Sequence, residues 1–397
     1  MKVLQINSVC GIRGTGRICT DIADILTSDG HECKIAYGRE SVPAEFDKYA
    51  IKIGNDLSVK FDALKSRVFD NAGFNSSFAT RKFIKWAESF NPDVIHIHNI
   101  HGYYINIKML FDYLRRSNKP IVWTLHDCWP FTGHCAYFDF VGCEKWLNGC
   151  HRCPQKKEYP TSFLFDSSKV NYFKKKSIFT GIKNLTIVTP SRWLASCVKN
   201  SFLKEYPVEV LNNGIDLDVF KPTNSDFRQK HKLENKKIVL GVASVWDRRK
   251  GLSDFIKLSK LLNDDYQMVL VGLNKEQLIL LPKNVIGLPR ILEADELAKI
   301  YSAADVFLNL SVEETMGLAT VEALACGTPV IVYDRTAVPE VVDEKTGIVV
   351  KAGDIDSLLD AVGSIRAETD DCTKYAAAFD KQNKYKGIID IYINSIQ

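Results

Sequence analysis

Residues 311–330 read SVEETMGLATVEALACGTPV, and the order of residue types in that stretch decides the architecture. Directly before it, residues 304–310 (ADVFLNL) form an apolar run of strand length. A short polar loop follows, then a helix-length segment. Gly327-Thr328-Pro329 stops that helix, and the apolar Val330–Tyr333 starts a new strand. Strand, loop, helix, breaker, strand is the repeating unit of a parallel α/β sheet. Glu314 falls in the loop at the carboxyl end of a strand, where open α/β sheets bind ligands. Gly317 and Leu318 fall in the first helical turn, whose unpaired N–H groups and dipole suit an anion such as a diphosphate. Glu322 lies eight positions beyond Glu314, roughly 80° further round a helix of about 3.6 residues per turn, and looks toward the same crevice from deeper in. Taken alone, two glutamates on a surface helix are solvated groups with no further role.

The same alternation extends along the chain in both directions. Residues 3–7, 33–37, 94–98, 121–125 and 185–188 read as strands, with helices near 80–90 and 106–116. After the first strand come Gly11, Gly14 and Gly16, then Ile18, Ile22, Ile25 and Leu26 at helical spacing. A second set of strands covers 238–243, 268–271, 285–286, 306–310 and 330–333. Between the sets, residues 206–223 carry Pro207, Asn212-Asn213-Gly214 and Pro222, the composition of a connector. The expected fold is α/β, with two doubly wound Rossmann-like domains facing an interdomain cleft, at 1–206 and 207–373. No internal repeat or low-complexity tract interrupts it.

The 311–330 stretch as a whole resembles the E-x7-E segment of the retaining GT-B glycosyltransferases of family 4. The match runs through Ser311, Glu314, Thr315-Met316, Gly317, Glu322-Ala323 and Gly327-Thr328-Pro329-Val330. Asn213-Gly214-Ile215-Asp216 with Phe220 and Pro222 resembles that family's hinge, and the resemblance runs nearly end to end. It implies transfer of a sugar from a nucleotide diphosphate sugar to a hydroxyl of a glycan or polyprenyl-linked acceptor, with retention of configuration, in bacterial surface polysaccharide synthesis. Glu314 would take hydroxyls of the donor sugar and Glu322 those of the ribose, since ionised carboxylates only accept hydrogen bonds. Thr315, Met316, Gly317, Leu318 and Gly272 complete the expected donor side. The final helix, residues 374–397, would cross back to the first domain.

Arg248-Arg249-Lys250-Gly251 follows the first strand of the second set. Cations in such a loop can hold a diphosphate and stabilise its departure; a solvated basic turn is the plain alternative. Lys250 matches the family's lysine. The family's arginine sits five positions earlier, where this chain has Val245, so that task is either lost or moved to Arg249, the preferred candidate, or Arg248. In the first half, Gly14-Thr15-Gly16 lacks the G-x-G-x-x-G spacing of dinucleotide folds. By resemblance its backbone N–H groups approach the donor phosphates. His126, in a His126-Asp127 pair that also reads as a capped turn, would stand beside the transferred sugar.

Five of the eleven cysteines lie between Cys128 and Cys153. Cys135, Cys143, Cys150 and Cys153, the last two spaced as C-x2-C, are candidate ligands of a structural zinc, against free thiols or disulfides. A similar WPFTGHC insertion, here residues 129–135, occurs in some bacterial polysaccharide glycosyltransferases. Asp216-x-Asp218 and Asp354-x-Asp356 follow no early nucleotide-binding strand. No metal or other cofactor is therefore expected for catalysis. Residues 169–183 (KVNYFKKKSIFTGIK) mix lysines with aromatics, a pattern that suits peripheral contact with an anionic membrane or a solvated helix with a buried stripe.

A formal charge of +4 does not argue for nucleic acid. No apolar run reaches the roughly 18–20 residues that span a bilayer, and the chain opens directly on a strand. The expectation is a cytoplasmic enzyme, peripheral at most on the inner membrane face. Three other classes share parts of this pattern: a GT-B-like nucleotide-sugar epimerase, a dinucleotide-dependent oxidoreductase, and a sugar-binding module. The oxidoreductase needs a ribose-binding acid closing the second strand, and that strand ends at Tyr37-Gly38-Arg39.

Overall fold

The structure, a computed structural model, describes residues 1–396. The contacts group into two units: Met1–Asn212 with the C-terminal stretch from Lys384, and Asn213–Asn383.

In the first unit the chain runs β1 (Lys2–Asn7), α1 (Arg13–Ser28), β2 (Glu32–Tyr37), β3 (Ala50–Lys52), α2 (Asp56–Phe69), α3 (Ser77–Phe90), β4 (Val94–Ile97) and α4 (Ile107–Ser117). It continues through β5 (Ile121–Thr124), α5 (Ser168–Phe179), β6 (Leu185–Thr189), α6 (Arg192–Asn200) and β7 (Val208–Val210). Among the described residues the strands form one parallel sheet in the order β3-β2-β1-β4-β5-β6-β7. The direction of strand addition reverses between β1 and β4, so a crevice opens at their carboxyl ends. Ala79, Phe83, Leu110, Phe111, Phe179, Leu194 and Val198 cover one face of this sheet. Ile18, Ile22 and Leu26 of α1 cover the other.

The second unit runs α7 (Phe227–Lys230), β8 (Lys237–Val242), α8 (Leu252–Ser259), β9 (Tyr266–Val271), α9 (Lys275–Leu280), β10 (Val285–Leu288) and α10 (Ala294–Ala303). It continues through β11 (Val306–Asn309), α11 (Leu318–Ala325), β12 (Val330–Tyr333), β13 (Gly347–Val350), α12 (Ile355–Ser364) and α13 (Thr369–Ala376). The parallel order is β10-β9-β8-β11-β12-β13, with the reversal between β8 and β11. Side chains alternate across it: Val239, Leu308 and Ile331 join α8 and α12, while Ile238, Leu240 and Phe307 join α10, α11 and α13. This is the expected architecture, two Rossmann-like parallel sheets.

Several elements differ from the sequence reading, among them the unexpected edge strands β3 and β13. The connector at 206–223 contains β7, which pairs with β6 as an edge strand. The single helix expected over 374–397 is broken. After α13 and a short 3-10 turn, Asp380 is extended (ψ 128°), and α14 (Lys381–Ile396) begins anew. The break lets the backbone bridge Ile215, whose N–H donates to the Phe379 carbonyl (2.8 Å) and whose carbonyl accepts from Lys381 (2.9 Å). From α14, Tyr385, Ile388, Ile389 and Tyr392 then join the α1 side of the first unit's core. Finally, α2 has no counterpart among the expected helices.

Candidate active site

In the second unit the two sequence-selected loops leave adjacent strands. Lys250 follows β8 and Glu314 follows β11, the pair that flanks the reversal point. The Lys250 ammonium forms an ion pair with Glu314 Oε1, and both side chains are about four-fifths buried. Ser311 Oγ donates to the same oxygen (3.1 Å). The Glu314 N–H donates to Thr336 Oγ1 (2.9 Å). Gly251 holds the cationic loop against β11: at φ +74° a Cβ there would stand 2.4 Å from the Leu310 carbonyl oxygen. Gly317 caps α11 at φ +93°, leaving the first-turn N–H groups of Leu318 and Ala319 at the same end of the sheet. Gly272, after β9, is at φ +98°, and a Cβ there would overlap the Ala243 carbonyl.

Arg249 does not sit as a free cation. Its guanidinium is paired with Asp247 (2.6 Å) and donates to the Glu313 carbonyl (3.4 Å), while its own carbonyl accepts from Val312 (2.8 Å). It ties the two loops together, and Arg248 is the exposed arginine of the pair. Met316 is buried, and its sulfur accepts from the Asn213 N–H (3.2 Å). Thr315 is half-buried beside it. Glu322 accepts from the Tyr301 hydroxyl (3.1 Å). Burial, then the neighbouring Glu322 carboxylate, pushes the Tyr301 phenol well above its ordinary value, so it remains a donor. Sequence reasoning missed Glu313, whose carboxylic side chain is fully buried, and the supporting Asp247 and Thr336. Nothing in their local pattern separates them from solvated loop residues.

The first unit's crevice has a different chemistry. Gly14, Thr15 and Gly16 lie in the first turn of α1 rather than in a loop. The Gly11 N–H donates back to the Gly16 carbonyl (3.1 Å). His126, after β5, belongs to a chain of buried imidazoles. Gln5 gives its amide N–H to the Cys19 carbonyl (2.8 Å), so its oxygen accepts from His98 Nε2 (3.0 Å). His98 Nδ1 then accepts, and His126 Nε2 is the donor (3.0 Å). Desolvation lowers the His126 pKa to about 4, with Asp127 and His101 exerting smaller opposed effects. His96, between Tyr392 and Thr124, is lowered by burial to about 3. Asp127 caps the turn through the Trp129 N–H (2.9 Å) and holds His101 (2.7 Å). Burial raises its pKa, but His101 and the backbone donor outweigh that and leave it low. The readable signal for this network was His96-x-His98-x2-His101, which no expectation used.

Cys135, Cys143, Cys150 and Cys153 are free thiols lining one small cavity. Cys135 and Cys153 hydrogen-bond each other, and Cys150 Sγ accepts from the Gly133 N–H (3.1 Å). His134 is buried beside them. Its Nδ1 meets the Asp70 carboxylate, and its Nε2 has no hydrogen-bond partner among the described residues. Among the described residues no three His, Cys, Asp or Glu side chains are placed as a ready metal-binding group.

The comparisons place this geometry in a family. Residues 12–219 match Glycosyltransferase Family 4, and residues 223–384 match Glycosyl transferases group 1. The chain belongs to glycosyltransferase family 4 and has the GT-B fold. It is 28% identical over 232 residues to the putative colanic acid biosynthesis glycosyl transferase WcaC of Escherichia coli, covering 55% of each chain. It is 33% identical over 192 residues to a processive diacylglycerol alpha-glucosyltransferase of Acholeplasma laidlawii, covering 45% of this chain and 57% of that one. The match therefore spans little more than half of either relative. Among solved structures, sucrose-phosphate synthase of Thermosynechococcus elongatus superposes with TM-score 0.72 at 17% identity, covering 99% and 98% of the two chains. Anabaena HepE in complex with UDP-glucose gives 0.67 at 16%, covering 99% and 100%. At such identities these two speak for the fold alone.

Proposed function

We propose that this chain is a retaining glycosyltransferase that moves a hexose from a nucleotide diphosphate sugar to a hydroxyl of a glycan or lipid-linked glycan. The observation that carries the reading is the Lys250–Glu314 pair at the β8/β11 reversal point, beside the start of α11. Without a donor, ammonium and carboxylate satisfy one another. With one, Lys250 turns to the diphosphate and Glu314 to sugar hydroxyls, so the pair is a prefolded clamp. As the glycosidic bond breaks, negative charge grows on the departing diphosphate, where Lys250 and the α11 N–H groups stabilise it. Glu322, aligned by Tyr301, takes the ribose hydroxyls. Arg249 acts through Asp247 and the Glu313 carbonyl as a positioning residue, and the exposed Arg248 supplies the second cation. In the first unit the α1 N-terminus and neutral His126 serve the phosphates and the transferred sugar.

HepE, named in complexes with UDP and UDP-glucose, supports a nucleotide-sugar donor, and a UDP-sugar is the first to try. Retention rests on the family resemblance. Donor hydrolysis and transfer by Lys250→Ala and Glu314→Ala test the clamp; unchanged turnover in both removes it. The anomeric signals of the product by NMR decide retention. Because Lys250 supplies the cation at the leaving group, transfer is expected to survive EDTA.

Structural zinc on Cys135, Cys143, Cys150 and Cys153 is a separate proposal for the 128–153 insertion. It is supported by four thiols on one cavity. His134, whose other nitrogen meets a carboxylate as metal-bound histidines do, is an added candidate ligand. The thiols must turn inward from their present hydrogen bonds. Metal analysis finding well under one zinc per chain ends the idea.

A further inference from the structure

Helix α2 is turned inside out. Leu57, Phe61, Leu64 and Val68 follow one another at helical spacing, and such a stripe ordinarily packs on a core. Here Leu57, Phe61 and Leu64 are 76%, 57% and 59% exposed, while Asp62 and Ser66 point inward. Polar contacts hold the inner face: the Ser76 hydroxyl donates to Asp62, and the Asn75 amide donates to Ser66 (3.2 Å). The exposed apolar surface continues beyond the helix. Phe163 and Phe165 N–H groups donate to the Arg67 and Val68 carbonyls, and Phe165 stacks on Phe69 (5.8 Å between rings). Phe163, Leu164 and, at the start of α3, Phe78 are also mostly exposed.

Cations are set among these side chains. Lys60, Lys65, Arg67 and Lys82 are exposed, and none forms an ion pair among the described residues. Lys65 and Lys82 each place their ammonium 4.6 Å from the ring centre of an exposed phenylalanine, Phe61 and Phe78. The nearby acids are spent, Asp56 on Lys52 (2.7 Å) and Asp62 in the interior. A cavity of about 680 Å³ between α2 and α3 is lined by Phe61, Phe74 and Phe78 with Lys65 and Lys82. Apolar groups flanked by unpaired ammonium groups match the border between acyl chains and anionic headgroups. A second copy docked on this face by two-fold symmetry would set like charges together.

We propose that the outer face of α2, with Phe78 and residues 163–165, is where this protein docks on an anionic lipid bilayer. Leu57, Phe61, Leu64 and Phe163 enter the headgroup boundary, and Lys60, Lys65 and Lys82 meet lipid phosphates. No described helix is long and apolar enough to cross a membrane, so the contact is peripheral. The 169–183 segment takes the other form the sequence allowed, a solvated helix with a buried stripe. In the 169–183 segment Lys175 is fully buried, donating to the Trp129 (2.8 Å) and Thr132 (3.2 Å) carbonyls, which makes α5 a structural prop.

The test is cosedimentation of the full chain with vesicles of phosphatidylcholine, with and without phosphatidylglycerol. Binding to the anionic vesicles that weakens with salt is expected. The triple variant Leu57→Ser, Phe61→Ser, Leu64→Ser should bind about tenfold or more weakly, with an unchanged circular dichroism spectrum. Lys60→Glu with Lys65→Glu should lose binding to anionic vesicles, and Lys174→Glu should keep it. Wild-type protein left in the supernatant overturns the proposal, as does a triple variant that binds like wild type. A dimer in gel filtration that the triple variant dissociates also overturns it, since a second copy would then cover this face. Donor hydrolysis without lipid should be unchanged in every variant, which separates failure of docking from failure of the donor-site reading.

Discussion

The two sheets are built alike, yet their reversal points carry opposite chemistry. Between β8 and β11 the crevice holds an ion pair, an exposed arginine and a helix start. Between β1 and β4 it holds a glycine-rich helix start and imidazoles kept neutral by burial. One topology thus carries an ion pair at one reversal point and neutral imidazoles at the other. The difference comes from loop residues alone, which is how a single fold hosts distinct subsites.

The largest effect should come from breaking the charged side. Lys250→Ala is expected to lower turnover on the order of 10²- to 10³-fold, the usual consequence of losing one donor at a developing anion. Steady-state rates with saturating donor check it, and a change confined to KM would mean that Lys250 only binds.

The neutral side should show itself as a pH limb. His126 and His96 have folded pKa values of about 4 and 3, against an unfolded value of 6.5. Between those limits the unfolded chain binds more protons, so stability is full above pH 6.5 and falls as pH drops toward 4, on the order of a few kcal/mol. Urea unfolding across that range should show the fall, and His126→Gln should flatten it. A wild-type profile without the limb would mean the imidazoles titrate alike in the folded and unfolded chain.

Smaller effects sharpen the contrast. Lys175→Met leaves the buried Thr132 carbonyl without its donor, while the Trp129 carbonyl keeps the Thr132 N–H, and should cost about 1–3 kcal/mol by thermal unfolding. Tyr301→Phe removes one donor to Glu322 and should cost about 1 kcal/mol, with weaker nucleotide binding by calorimetry. Gly14→Ala meets open space in a helical turn and should stabilise by about 0.4–1 kcal/mol. A loss of turnover in that stabler variant would assign the α1 N-terminus to the donor; unchanged turnover would leave the clamp to the second unit.

The 311–330 loop was legible because its signals are local. A strand, Glu314, Gly317 and a Gly-Thr-Pro stop within twenty residues define where one helix begins, and β11, α11 and β12 follow that reading closely. Arg249 was expected, from the family resemblance, to stand in for the arginine missing at Val245. Its pairing with Asp247 is local, but its hydrogen bond to the Glu313 carbonyl depends on a loop 64 residues away. The helix over 374–397 was extended through Asp380 because periodicity carries no information about the bridge to Ile215.

By itself the sequence determined two parallel α/β sheets, the E-x7-E loop and the cationic turn after β8, because side-chain period, glycine and proline act over a few residues. Only the tertiary structure decided that Lys250 meets Glu314, that His98 sets the tautomer of His126, and that Lys175 is interior. It also decided that α2 shows its apolar stripe to the outside. Periodicity states that a helix has two faces; which face meets a core depends on the partners that chain topology brings to it.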